Sequence, residues 1–174
     1  LKLRIKEEGI FPAIAIGIND IAGTGLYSSE YLVASYGINN FDFHLGMAWG
    51  TLNGADSKIK NPFIDIDSSF QNRPITYEGA GGQFQASRYF SSEDVSPFFG
   101  ISYSVNEKTL IKLEKDTTLT TGFIDYESSN SDYSIGLDYS INENFVLGFS
   151  YERENFTSIR LLYKSNPRKN YKKY

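Results

Sequence analysis

FDFHLGMAWG, residues 41–50, alternates along its whole length. Phe41, Phe43, Leu45, Met47 and Trp49 fall on one side of an extended chain; Asp42, His44, Gly46, Ala48 and Gly50 fall on the other. A β-strand separates two such sets, because successive side chains leave opposite faces of the sheet. A helix would scatter both sets around its circumference. The smaller set then suggests which face is wet. A soluble sheet normally turns Lys, Glu and Thr to water and large aliphatics inward. Here the large side chains oppose Gly, Ala and mildly polar residues, which suits a crowded or hydrated lumen with lipid outside.

The same rhythm recurs at 131–141 (SDYSIGLDYSI), 145–153 (FVLGFSYER), 97–105 and 157–165. Weaker strand candidates lie at 2–7, 11–20, 28–37, 83–90 and 109–117, and no segment carries a helical period. The clearest strands match the roughly 9–11 residues of a tilted membrane-spanning strand. The expected fold is all-β: an antiparallel meander forming an outer-membrane-type β-barrel of about 9–11 strands, closed alone or as part of a larger barrel. Residues 1–165 form this barrel domain or segment, and 166–174 (NPRKNYKKY) a basic tail or linker. A soluble β-barrel or sandwich is the competing architecture.

Short connections fall at 38–40, 106–108, 142–144 and 154–156, and long ones at 21–27, 51–82 and 118–130. Outer-membrane barrels alternate short periplasmic turns with long outer loops. Placing the first three short turns at one end, with 118–130 opposite, requires an odd number of hidden strands in 51–82, most simply one within 62–79. Matching apolar faces across the hairpins pairs Val33 with Leu45, Ile101 with Leu113 and Leu137 with Phe149. That register demands three-residue loops, with Asn40 and Asn144 at positive φ and Lys108 the poorest fit at the equivalent site.

Composition narrows the function. The absence of cysteine removes disulfides and thiol chemistry, and the single histidine removes any multi-histidine metal site. A net charge of −4 argues against general nucleic-acid binding. No run approaches the roughly 18 apolar residues of a membrane helix. The chain starts at Leu1, so it reads as a processed protein or excised segment with any export signal upstream. Aromatics are 16 % of residues while mean hydropathy is −0.35, so apolar and polar residues must be segregated finely, as alternating strands do.

Asp20, Gly23, Gly25 and Glu30 could form a sugar or cation site, with carboxylates flanking a Gly-rich turn. The structural account is favoured: the glycines supply positive φ, and the carboxylates cap backbone N–H groups or pair with a lumenal Arg. Gly23-Thr24-Gly25 is too short for a phosphate loop. His44 beside Asp42 reads as a hydrogen-bonded lumenal histidine rather than a proton-transfer pair. Asp56, Asp65 and Asp67 lack EF-hand spacing. Trp49, Tyr31, Tyr133 and Tyr151 could stack on sugars, but the interfacial girdle of a barrel is the favoured reading. No catalytic residue, cofactor or metal site is expected.

Residues 17–50 resemble the YjbH/GfcD family of bacterial outer-membrane proteins encoded with exopolysaccharide or capsule genes. The resemblance rests on Asp20 followed by Gly23-Thr24-Gly25, on Glu30-Tyr31-Leu32-Val33-Ala34-Ser35, and on Phe41-Asp42-Phe43 running into Gly46 and Trp49-Gly50. Asn61-Pro62-Phe63, Phe99–Tyr103, Ile135–Tyr139 and Gly148–Arg153 fit the same family. Tyr36 stands where a basic residue is usual, Phe99-Gly100 where Gly-Gly is, and Glu154 where Gly is. Family members are much longer, so the resemblance implies a segment of a larger barrel protein. It implies a non-enzymatic role in exporting or assembling a surface polysaccharide at the bacterial outer membrane. The implied partners are membrane lipid, the polysaccharide and other export proteins, with no nucleic acid. A porin-like channel and a soluble ligand-binding β-barrel are the alternatives.

Overall fold

Alternating sequences hydrogen-bond to one another in the order they are made when the links between them are short. A computed structural model describes residues 1–21, 27–74, 84–119 and 131–165 of the chain. Its strands are β1 (Lys2–Lys6), β2 (Ala13–Asn19), β3 (Ser29–Ile38), β4 (Phe41–Gly50), β5 (Ile59–Lys60), β6 (Asp94–Asn106), β7 (Thr109–Lys115), β8 (Tyr133–Ser140), β9 (Phe145–Glu152) and β10 (Phe156–Tyr163). They form one antiparallel sheet in the order β1-β2-β3-β4-β6-β7-β8-β9-β10, with the two-residue β5 beside β6 off that path. The all-β meander is therefore as expected, but the described residues form an open sheet whose edges are β1 and β10.

The turns before β4, β7 and β9 share one end of the sheet, and the connections 51–93 and 116–132 share the other, as expected. The hidden strand that motivated this arrangement is absent among the described residues of 62–79. Pro62–Asp65 and Ser68–Gln71 are 3₁₀ turns, and 75–79 lie outside the described residues. The candidate at 83–90 is also no strand, because Ala86–Arg88 is a 3₁₀ turn. Dropping both supposed strands preserves parity: β4 pairs directly with β6. The described residues of the excursion between them instead fold back over one sheet face.

Register is as expected at two hairpins and wrong at the third. Ile101 lies opposite Leu113, and Leu137 opposite Phe149. Leu45, however, lies opposite Ala34, and Val33 opposite Gly46. The β3–β4 hairpin is a two-residue turn closing on Ile38 and Phe41, with Asn39 rather than Asn40 at positive φ. Glu107-Lys108 is also a two-residue turn, and a bulge between Ser104 and Asn106 restores the odd-with-odd pairing. Only the 142–144 loop has the expected three-residue length. It closes through the Asn142 carboxamide, which accepts from the Asn144 and Phe145 amides at 2.9 and 3.0 Å, so Asn144 needs no left-handed backbone.

Candidate functional site

The register gives the sheet two chemically distinct faces. One carries Phe41, Phe43, Leu45 and Met47 of β4, Phe99, Ile101 and Tyr103 of β6, Tyr133, Ile135, Leu137 and Tyr139 of β8, and Phe145, Leu147, Phe149 and Tyr151 of β9. Most of these are exposed; Leu45 is 65 % exposed, and Ile159 on β10 reaches 77 %. Among the described residues nothing covers this surface, and monomeric soluble proteins rarely expose a contiguous apolar patch so large. Within β8, tyrosines sit at both ends and aliphatics between them. Ring pairs gather at the two ends: Phe41 with Tyr103 (4.5 Å) and Phe145 with Tyr163 (5.0 Å) near the short turns, Phe99 with Tyr133 (6.1 Å) near the long connections.

The opposite face is small and polar. Asp138 accepts from Lys112 at 2.6 Å and from Arg160 at 2.9 and 3.1 Å, joining β7, β8 and β10. Arg160 reaches across β9 because its row neighbour is Gly148, where a Cβ would lie 2.8 Å from the Asp138 carboxylate. Above this network Glu114, Asp116 and Glu152 line a groove of about 330 Å³, and the groove continues past Glu114 and Asp116 into a second cavity of about 390 Å³ beside Tyr31, His44 and Phe98. His44 Nδ1 lies 2.8 Å from the Ser35 hydroxyl, directly across the β3–β4 pair, as the hydrogen-bonded reading expected. Tyr31 lies over Gly17 and Phe98 over Gly46, aromatic rings filling the space that a missing Cβ leaves.

The singled-out residues do not converge. Gly23 and Gly25 lie outside the described residues. Asp20 has positive φ and accepts the Tyr27 amide at 3.3 Å, a loop-closing role. Tyr31 faces the polar side. Trp49 is neither lipid-facing nor in a girdle: it is 0 % exposed, stacked on Phe63 at 5.4 Å and edge-on to Phe90 at 5.2 Å. The excursion covers the apolar face at this corner, which alternation in β4 alone could not reveal.

Glu30, directly opposite Trp49 in the register, is also 0 % exposed. Its carboxylate accepts both arms of Arg73, at 2.7 and 2.9 Å, and the Phe90 amide at 3.0 Å. An Arg partner was expected, but in the lumen; Arg73 comes instead from the excursion on the other face. Asn61 is the second anchor that sequence reasoning missed. Fully buried, it accepts from the Phe63 amide at 3.1 Å and donates to the carbonyls of Phe90 and Ser92 at 2.9 and 3.0 Å. The only signal was its place in Asn-Pro-Phe, an N-cap pattern before a Pro-led turn. In the same excursion Asp65 pairs with Lys60, and Asp67 caps the Ser69 amide at 2.8 Å, so these acids have local partners.

Among the described residues no cluster of His, Asp and Glu is arranged to hold a metal. What the arrangement supplies is a wall: an apolar face, a polar face, and a clasped cap at the long-connection end. Residues 1–173 match a family described as exopolysaccharide biosynthesis protein YbjH. This chain belongs to that family, YjbH. A relative named "Uncharacterized lipoprotein YjbH" from Escherichia coli (strain K12) is 34 % identical over 185 residues, which cover 98 % of this chain and 26 % of the relative. The chain thus spans about a quarter of the length of that curated relative. No solved structure matches it.

Proposed function

We propose that this YjbH segment is a lipid-facing wall of an outer-membrane β-barrel that assists, without catalysis, the export or assembly of an exopolysaccharide. One observation carries the reading: the exposed apolar face, bounded by tyrosines, opposite a polar face knitted by Lys112, Asp138 and Arg160. In water that apolar face would drive aggregation. In a bilayer it is solvated by acyl chains, with tyrosines at headgroup level. Three short turns at one end and the two long connections at the other support the same orientation, with the clasped excursion outermost and the short β9–β10 turn the exception at that end.

Membership of an exopolysaccharide biosynthesis family supplies the process, and the polar face supplies a surface for a hydrated polymer. The relative's name calls it a lipoprotein, which fits a chain held at a membrane. Lipid is the partner of the apolar face; the polymer and other export proteins are the partners on the polar side. The test is to fold the chain with and without detergent or lipid vesicles and follow heat-modifiable gel migration. Folding that requires detergent or lipid supports the reading. A monodisperse fold in plain buffer favours a soluble ligand-binding β protein. In cells, removal of the parent gene should lower surface polysaccharide; unchanged polymer with altered solute permeability favours a porin-like channel.

A further inference from the structure

Among the described residues nine strands lie on the meander path, and every neighbouring pair is antiparallel. Nine is odd, so β1 and β10 run in the same direction. A barrel closed by antiparallel pairs alone needs an even number of strands, because directions must alternate all the way round, as they do in bacterial single-chain barrels. Resting on the membrane-wall reading above, we infer that β10 and β1 do not pair with each other. They are joined instead by an odd number of further strands, supplied by the remainder of a longer polypeptide that contains this segment.

The edges themselves carry the argument further. β10 pairs with β9 without a shift from Phe156 to Tyr163, and has neither proline nor bulge. Among the described residues no strand pairs with its other side, which is thus a regular row of backbone donors and acceptors that natural sheets do not leave bare. In a bilayer no water could satisfy that row. β1 is shorter and ends in a bulge between Arg4 and Lys6.

Other occupants fail on direction or chemistry. A second copy inserted the same way up would bring its β1 alongside β10 in the same parallel sense, and an inverted copy would cross the membrane backwards. The sequence of 166–174 puts two basic residues in each alternate set, Arg168 with Lys172 and Lys169 with Lys173. Either set would therefore turn Lys or Arg to lipid, at about 2–4 kcal/mol for each at the midplane. The relative has room for the missing strands, since the matching stretch is 26 % of its length.

The test uses the longer polypeptide in its membrane, with a benzophenone amino acid replacing Ser158 on β10, and mass spectrometry of the peptide it captures. A companion Ser150→Cys/Ser158→Cys variant reports by disulfide formation that β9 and β10 are paired as described. Capture of a peptide outside residues 1–174 is the expected result. Capture of residues 1–7, capture of a second copy, or no peptide captured while the disulfide forms would each overturn the inference. If the polypeptide instead leaves the membrane fraction in carbonate without detergent, the wall reading fails, whichever peptide is captured.

Discussion

Arg73 and Glu30 meet as a two-point fork, Nη1 to Oε2 at 2.7 Å and Nη2 to Oε1 at 2.9 Å, across 43 residues of chain. Two parallel charge-assisted bonds fix both distance and orientation. Glu30 is fully buried, and the Arg73 side chain is 18 % exposed. Removing one partner would therefore strand a buried charge. Arg73→Ala should cost about 3–5 kcal/mol, as other broken buried pairs do. The loss should fall on the excursion, making it protease-sensitive while the sheet persists. Replacing both charges, as Glu30→Leu with Arg73→Met, should recover much of that loss. Equal protease resistance in Arg73→Ala and the parent would show that the fork does not hold the excursion.

Leu45 tests the apolar face. It lies mid-strand on β4, on the face left uncovered below Trp49. At the bilayer midplane Leu45→Arg should cost about 2–4 kcal/mol of folding free energy in lipid. The measurement is a reversible denaturant titration in vesicles. A loss below about 0.5 kcal/mol, the usual range for a surface substitution, would place this position in water.

The hairpins show what the sequence could and could not convey. Strands with one clearly apolar face, β8 and β9, were legible in both extent and register, and Leu137 does face Phe149. β3 was not, because SEYLVASYGI offers apolar residues on both faces, and alternation then cannot choose between Val33 and Ala34 opposite Leu45. The two-residue turn with Asn39 at positive φ made the choice. Long-range burial was equally hidden. Trp49 and Glu30 read locally as a girdle residue and a carboxylate beside a Gly-rich turn with a lumenal Arg for partner, and only the return of Phe63, Arg73 and Phe90 across the chain buries them. The shared end of the turns before β4, β7 and β9 was legible although the strands invoked for it were not: neither 62–74 nor 84–90, the described parts of those candidates, holds a strand, and dropping two leaves the alternation unchanged.

Asp67 gives the excursion a pH dependence. The Ser69 backbone amide, then its hydroxyl, stabilise the ionised carboxylate and hold its pKa below the usual aspartate value. A depressed acid contributes its stabilisation above its unfolded pKa and loses it as pH falls through the lower, folded value. Amide exchange at Ser69 should therefore stay slow through mildly acidic pH and quicken only below the ordinary aspartate range. Asp67→Asn should remove that acid-dependent step. A step of unchanged size in the variant would assign the dependence to another group.

Gly46 and Gly136 offer a matched pair of substitutions on the polar face. A Cβ at Gly46 would stand 2.3 Å from Phe98 Cζ and 2.5 Å from the Leu32 carbonyl oxygen. The ring could swing away, but the carbonyl belongs to the β3–β4 ladder and cannot move without straining it. Gly46→Ala should thus cost about 1–3 kcal/mol, the range for forcing atoms into a packed site. At Gly136 the nearest atoms to a new Cβ are 3.7 Å or more away, ordinary contact distance. Gly136→Ala also removes some backbone freedom from the unfolded chain, so it should be neutral or stabilising by up to about 1 kcal/mol. Denaturant midpoints for the two variants in the same detergent supply the comparison. If both fall equally, the substitutions report a general intolerance of side chains on the polar face. If Gly46→Ala alone falls, the close approach of the Leu32 carbonyl and the Phe98 ring to the bare backbone of β4 is what excludes a side chain there.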